Sequence, residues 1–137
     1  MVPHIIFSLG TNERFCVPLL DVVEITTVPE ITAMPHQSSR LAGLVVFRGE
    51  AIAVGHFDEM IGFDHENGGD YKNMIVFRAN NGSELIGLLV QDVYDIKHIH
   101  DKEKMLPNFH SPCVEFVVND NSLLIQNINV AKMLANL

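Results

Sequence analysis

Among the side chains able to do chemistry, the seven histidines stand out first. His98 and His100 are two apart, Asp101 follows directly, and His110 lies a short way downstream. Imidazole nitrogens and a carboxylate are zinc-type donors, and a strand would aim His98 and His100 to one face. The spacing itself is weak. No His-Glu-x-x-His arrangement supplies a general base, and the segment runs from an apolar strand into a polar loop. Surface histidines are expected, with no metal and no cofactor.

Nucleophiles fare no better. Ser8, Ser38, Ser39, Ser83, Ser111 and Ser122 lie outside any Gly-x-Ser-x-Gly turn. Cys113 has His110 upstream, but neighbours in sequence do not place a base on a thiol. It reads instead as a strand residue facing a core, and Cys16 as a second buried free thiol. Gly68-Gly69 lacks the spacing and the lysine of a phosphate loop. The residues predict a protein without catalysis.

The elements that must position these side chains come from a chain of 137 residues, enough for one domain or two very small subdomains sharing a core. Its 47% apolar and 19% charged content is that of a globular protein. Acidic residues outnumber basic ones 17 to 9, giving a net charge of -8 with the basic residues scattered. Nucleic acid needs clustered cations to replace counterions, so it is excluded as a partner, and an anionic membrane surface is disfavoured. No apolar run exceeds Leu41–Phe47, too short to insert into a bilayer, and Met1–Gly10 lacks the basic start of a signal peptide. A cytoplasmic protein is expected.

Short strands dominate. His4–Leu9 and Arg14–Pro18 flank a turn, and Val22–Val28 alternates, with Val23, Ile25 and Thr27 on one side and Val22, Glu24 and Thr26 on the other. Pro29 to Ser39 reads as a loop. Leu41–Phe47 and Ala51–Val54 flank Arg48-Gly49-Glu50 as a hairpin, and Phe57–Ile61 makes a helical turn or two that Gly62 ends. Phe63–Asn73, with Gly68-Gly69, reads as an exposed loop or subdomain boundary. Met74–Ala79, Leu85–Val90, Gln91–Ile99, Val114–Val118 and Leu123–Ile125 are further strands, and Asp101 to Pro112 is a polar loop. Val130, Leu134 and Leu137 form a helical stripe that Asn129 could cap. Many short strands with regular turns predict an all-β barrel or sandwich with a short C-terminal helix. Leu41-Ala42-Gly43-Leu44-Val45-Val46 echoes Leu85-Ile86-Gly87-Leu88-Leu89-Val90, which suits two small barrels, one built around each run.

One pattern is informative about function. Strand parity groups Val22 with Glu24, and Leu44 with Val46, Arg48 and Glu50. Faces that mix charges with aliphatic side chains suit protein docking, where apolar contact gives affinity and charge sets register. An internal Glu24–Arg48 pair on half-buried faces would fit the same residues.

Leu41–Gly62, reading LAGLVVFRGEAIAVGHFDEMIG, resembles the signature of the CheW family of chemotaxis coupling proteins: an apolar-Gly strand, Arg-Gly, another strand, then a short helix ending in glycine. Phe15–Ile25 (FCVPLLDVVEI) and Ile86–Ile96 (IGLLVQDVYDI) match two more family blocks in the right order. Departures fall at Ala53, His56 and Gln91, where the family favours proline and two aspartates, marking a divergent member. The resemblance implies one CheW-like domain over 1–137, made of two five-stranded SH3-like β-barrels packed side by side. It implies a non-catalytic adaptor coupling the cytoplasmic tips of methyl-accepting chemoreceptors to the regulatory domain of a CheA-type histidine kinase, recruited to membrane-associated arrays. Glu24 and Arg48 fall on the family's strand glutamate and Arg-Gly arginine, beside the receptor groove, with Val22 and Val46 on the same faces. Gly43, Gly49, Gly62 and Gly87 fall on its structural glycines. A small-ligand-sensing module on the same fold, with an apolar pocket between the barrels, and an adaptor of a non-chemotaxis kinase array are the alternatives.

Overall fold

The computed structural model describes residues 1–10, 12–35, 40–62, 71–79, 81–108 and 111–135. Among these residues, ten strands and two short α-helices run in the order β1 (Val2–Ser8), β2 (Arg14–Pro18), β3 (Val22–Thr27), β4 (Leu41–Phe47), β5 (Glu50–His56), α1 (Phe57–Met60), β6 (Asn73–Ala79), β7 (Glu84–Val90), β8 (Asp92–Ile99), β9 (Val114–Asp120), β10 (Leu123–Ile128) and α2 (Val130–Leu134). They form two five-stranded sheets, β8-β1-β2-β10-β9 and β3-β6-β7-β5-β4. The all-β class, the two SH3-like units and the closing helix agree with expectation.

Central strands are buried on both faces, which is why they read as continuous apolar runs rather than alternating ones. Ile5 and Phe7, Phe15 and Val17, Ile75 and Phe77, and Ile86 and Leu88 turn into a core shared by the two sheets. Their neighbours turn the other way. Ile6, Cys16, Phe116, Val118 and Ile125 fill one barrel; Val45, Ile52, Val54, Met74, Val76 and Leu89 fill the other. Both helices cover the shared core, through Phe57 and Met60 and through Val130 and Met133. Phe57 sits edge-on to Phe7 and Phe15, with ring centroids 4.9 and 5.3 Å away. The Asn129 side chain caps α2 by accepting from the Lys132 amide at 3.0 Å, and Gly62 (φ +74°) follows α1.

The two sheets are built alike. Each contains a parallel pair, β10–β2 in one and β5–β7 in the other, flanked by antiparallel neighbours. In one sheet Ile5 pairs with Ile96 and Phe7 with Val93; in the other Ile75 pairs with Ile25 and Phe77 with Val22, with an extra residue on β8 and β3 at matching places. An outlying residue bridges the edge strand in both, Met105 to Val117 and Thr32 to Leu44. The second unit is contiguous, β3 to β7. The first is assembled from both ends of the chain.

Several expectations are corrected. The two glycine-centred runs, on β4 and β7, lie in one sheet rather than one per barrel. Phe63–Asn73 is not a subdomain boundary, since α1 and β6 on either side of it belong to the second unit; residues 63–70, with Gly68-Gly69, lie outside the described residues. The crossings come instead at the 3-10 turn Leu19–Asp21 and at Gln91. Glu50 opens β5, leaving a two-residue turn at Arg48-Gly49. The stretch after Asp101 contains a 3-10 turn, Asp101–Glu103, and the Met105 bridge. Cys113 just precedes β9, although it does face the shared core. Leu137 and His110 lie outside the described residues.

Candidate functional site

Arg48 and Gly49 carry φ of +50° and +80°, the positive pair that a type I′ hairpin turn needs to match strand twist. Phe47 pairs with Glu50 across the turn. A Cβ at Gly49 would meet nothing within 4 Å, so its requirement is one of conformation alone. Arginine has no such freedom, yet here it stands at +50°. Arg48 Nη2 donates to Glu24 Oε1 at 2.9 Å, with the two side chains 62% and 41% exposed. The guanidinium carbon also lies 4.9 Å from the centroid of the Phe47 ring. Since β3 and β4 are the two edges of their sheet, the pair ties one edge to the turn at the end of the other.

Val46, two residues before Arg48, is 76% exposed. It borders a shallow groove of about 430 Å³ with Pro29, Glu30, Thr32, Leu44 and Ala51. The far wall is the strap after β3, held by reciprocal Thr32–Leu44 backbone bonds of 2.8 and 2.7 Å. Gly43 makes that approach possible. It has φ +149°, and a Cβ there would overlap the Thr32 carbonyl oxygen. Gly87, opposite Val54 and Val76, leaves space taken by the Met74 side chain.

Glu24, Arg48 and Val46 all lie on the second unit, but the groove beside Val46 is lined by neither Glu24 nor Arg48, and Val22 does not share the Glu24 face. Opposite Phe77 and Val76, β3 spends an extra residue between Val22 and Glu24, and this bulge inverts the parity. Val22 joins Ile25 against the shared core. Sequence reasoning missed Phe47 and the Pro29–Thr32 strap. An aromatic next to Arg48 was the available signal for the first; nothing local announces that the strap docks on β4.

Elsewhere, His98 near the end of β8 and His100 just past it are exposed, and Asp101 pairs with Lys104 at 3.0 Å. Among the described residues no three His, Cys, Asp or Glu side chains converge as metal ligands. Burial pushes the Cys16 thiol up to about 12 and raises that of Cys113, so neither is a poised nucleophile. Of the divergent positions, Ala53 sits in β5 opposite Ile86, and His56 leans on Tyr71 with centroids 5.5 Å apart. Gln91 joins the two units, its backbone N–H donating to the Ser8 carbonyl at 3.0 Å.

A family model described as CheW-like domain matches residues 3–137. The chain belongs to the CheW-like family. Among relatives, the chemotaxis protein CheW of Rhizobium meliloti (strain 1021) is 29% identical over 99 residues, covering 72% of this chain and 62% of the relative. The probable chemotaxis protein CheW of Rhizobium etli is 30% identical over 98 residues, covering 72% and 61%. The matched stretch thus spans about three fifths of each relative's length. The crystal structure of the scaffolding protein TtCheW from Thermoanaerobacter tengcongensis shares this CheW-like fold at a TM-score of 0.85, with 20% identity, over 96% of this chain and 91% of that one. No described helix is long and apolar enough to cross a membrane.

Proposed function

We propose that this CheW-like protein is a non-catalytic adaptor of chemotaxis signalling. It couples chemoreceptor cytoplasmic tips to the regulatory domain of a CheA-type histidine kinase in cytoplasmic, membrane-associated arrays. Glu24 and Arg48 form the charged part of the receptor surface, and Val46 supplies apolar contact beside it. The observation that carries this reading is the family match across residues 3–137, together with an ion pair left exposed at the family's Arg-Gly position. An exposed pair contributes little to folding, so its presence at this position supports a docking reading.

The ligand-sensing alternative needs an apolar cavity between the barrels. That space is packed by Phe7, Phe15, Phe57, Ile75 and Leu88, each essentially without exposure. The direct test is co-sedimentation with receptor-containing membranes and a CheA-type kinase. Receptor-dependent pelleting and a change in kinase output that requires this protein are expected. If the protein stays in the supernatant and kinase output is unmoved, the adaptor reading fails.

A further inference from the structure

We infer that Phe47 is a positioning residue for the docking surface, holding the Arg48 guanidinium over the barrel end so that it meets a partner already oriented. The inference rests on the reading of Glu24–Arg48 as a docking surface, and extends it to a side chain no partner would touch first.

Arginine alone in a hairpin corner would sweep a wide arc of solvent, since its side chain carries large rotamer entropy. Three features narrow the arc here. The backbone is fixed at φ +50° by the two-residue turn. On one side the guanidinium bonds Glu24 at 2.9 Å. On another it lies 4.9 Å from the Phe47 centroid, where the ring's negative face attracts it. Phe47 is itself buried, 6% exposed and packed in the barrel interior with Val45, Ile52 and Val54. The ring is thus a fixed platform beneath a mobile cation.

The carboxylate alone would not serve as well. Glu24 is itself partly exposed and free to rotate with its partner, so the pair could swing as a unit. The ring anchors one member of it. Only Nη2 is committed to Glu24, so the remaining guanidinium donors stay available to an acceptor on the docking partner. Ordering the cation beforehand removes part of the entropy that docking would otherwise cost.

The test uses the full chain and four proteins: wild type, Phe47→Leu, Phe47→Tyr and Arg48→Ala. The first readout is NMR of the Arg48 δ-methylene protons, which a ring beneath them shifts upfield. The shift is expected in wild type, retained in Phe47→Tyr and lost in Phe47→Leu. Its absence from wild type overturns the positioning role, and that measurement needs no variant to fold. The second readout is receptor-membrane affinity. Phe47→Leu is expected to weaken it about two- to fivefold, the worth of a surface cation–π contact, while Phe47→Tyr keeps it. An Arg48 shift lost in Phe47→Leu with affinity unchanged overturns the inference if Arg48→Ala still weakens binding. If Arg48→Ala binds as wild type does, the failure is instead that of the docking surface itself.

Discussion

Arg48 occupies a backbone position that asparagine or glycine would fill with less strain. A non-glycine residue in the left-handed region costs about 1–2 kcal/mol, and the exposed pair with Glu24 and the contact with the Phe47 ring each return about 0–1 kcal/mol. Stability therefore gives arginine no net advantage here; the proposed docking role would supply one. Two substitutions separate the possibilities. Arg48→Ala should leave the melting temperature within a few degrees of wild type while weakening receptor association about tenfold or more, because docking strips water from the pair. Arg48→Asn should melt above Arg48→Ala, since asparagine tolerates positive φ, yet bind no better. Thermal melts and membrane co-sedimentation on both proteins check this. A large loss of stability in Arg48→Ala, with binding reduced only in proportion, would mark a structural ion pair and remove Glu24 and Arg48 from the docking surface.

At the scale of elements, β3 and β4 decide where the proposed docking surface lies. Parity along Val22–Thr27 was legible from alternation, but the bulge that inverts it was not, because an extra residue shows only against the partner strand β6. On β4 the decisive residue is Gly43, whose missing side chain lets the strap reach Leu44. Gly43→Ala should cost about 2–3 kcal/mol, since both the positive φ and the Thr32 carbonyl oppose a Cβ. The damage should be local: hydrogen exchange at the Thr32 and Leu44 amides should accelerate well beyond that of β1 and β2. Uniform acceleration across both sheets would mean the strap is not separately held.

For the whole molecule, the shared core governs cooperativity. Phe57 is fully buried where both sheets meet, against Phe7 and Phe15 of the first and in one cluster with Ile75 and Phe77 of the second. Phe57→Ala should destabilise by about 3–5 kcal/mol and lower the denaturation midpoints of β9 and β4 amides together. Separate midpoints for the two sheets, with only one moved, would show that the barrels unfold independently. The chain ends complete the first unit, so it cannot form until β1–β2 and β8–β10 meet. Matching registers in the two units leave one trace in the sequence: Val22-Val23-Glu24-Ile25 and Val93-Tyr94-Asp95-Ile96 occupy equivalent bulged edges. The glycine-centred runs resemble each other more closely, yet they lie in one sheet, on either side of β5.

Local physics determined much of this protein. Apolar runs bounded by turn residues placed nearly every strand, Asn129 its helix cap, and the Arg48-Gly49 dipeptide its hairpin; three ordered blocks placed the chain in its family. Each of these depends on residues close in sequence, so each leaves a local signal. Tertiary structure alone decided which strands share a sheet, which way Val22 faces, and that a strap from the β3–β4 connection docks on Gly43. Those outcomes depend on pairings between residues distant in the chain. An apolar run buried on both faces carries no periodicity to say which face meets which partner.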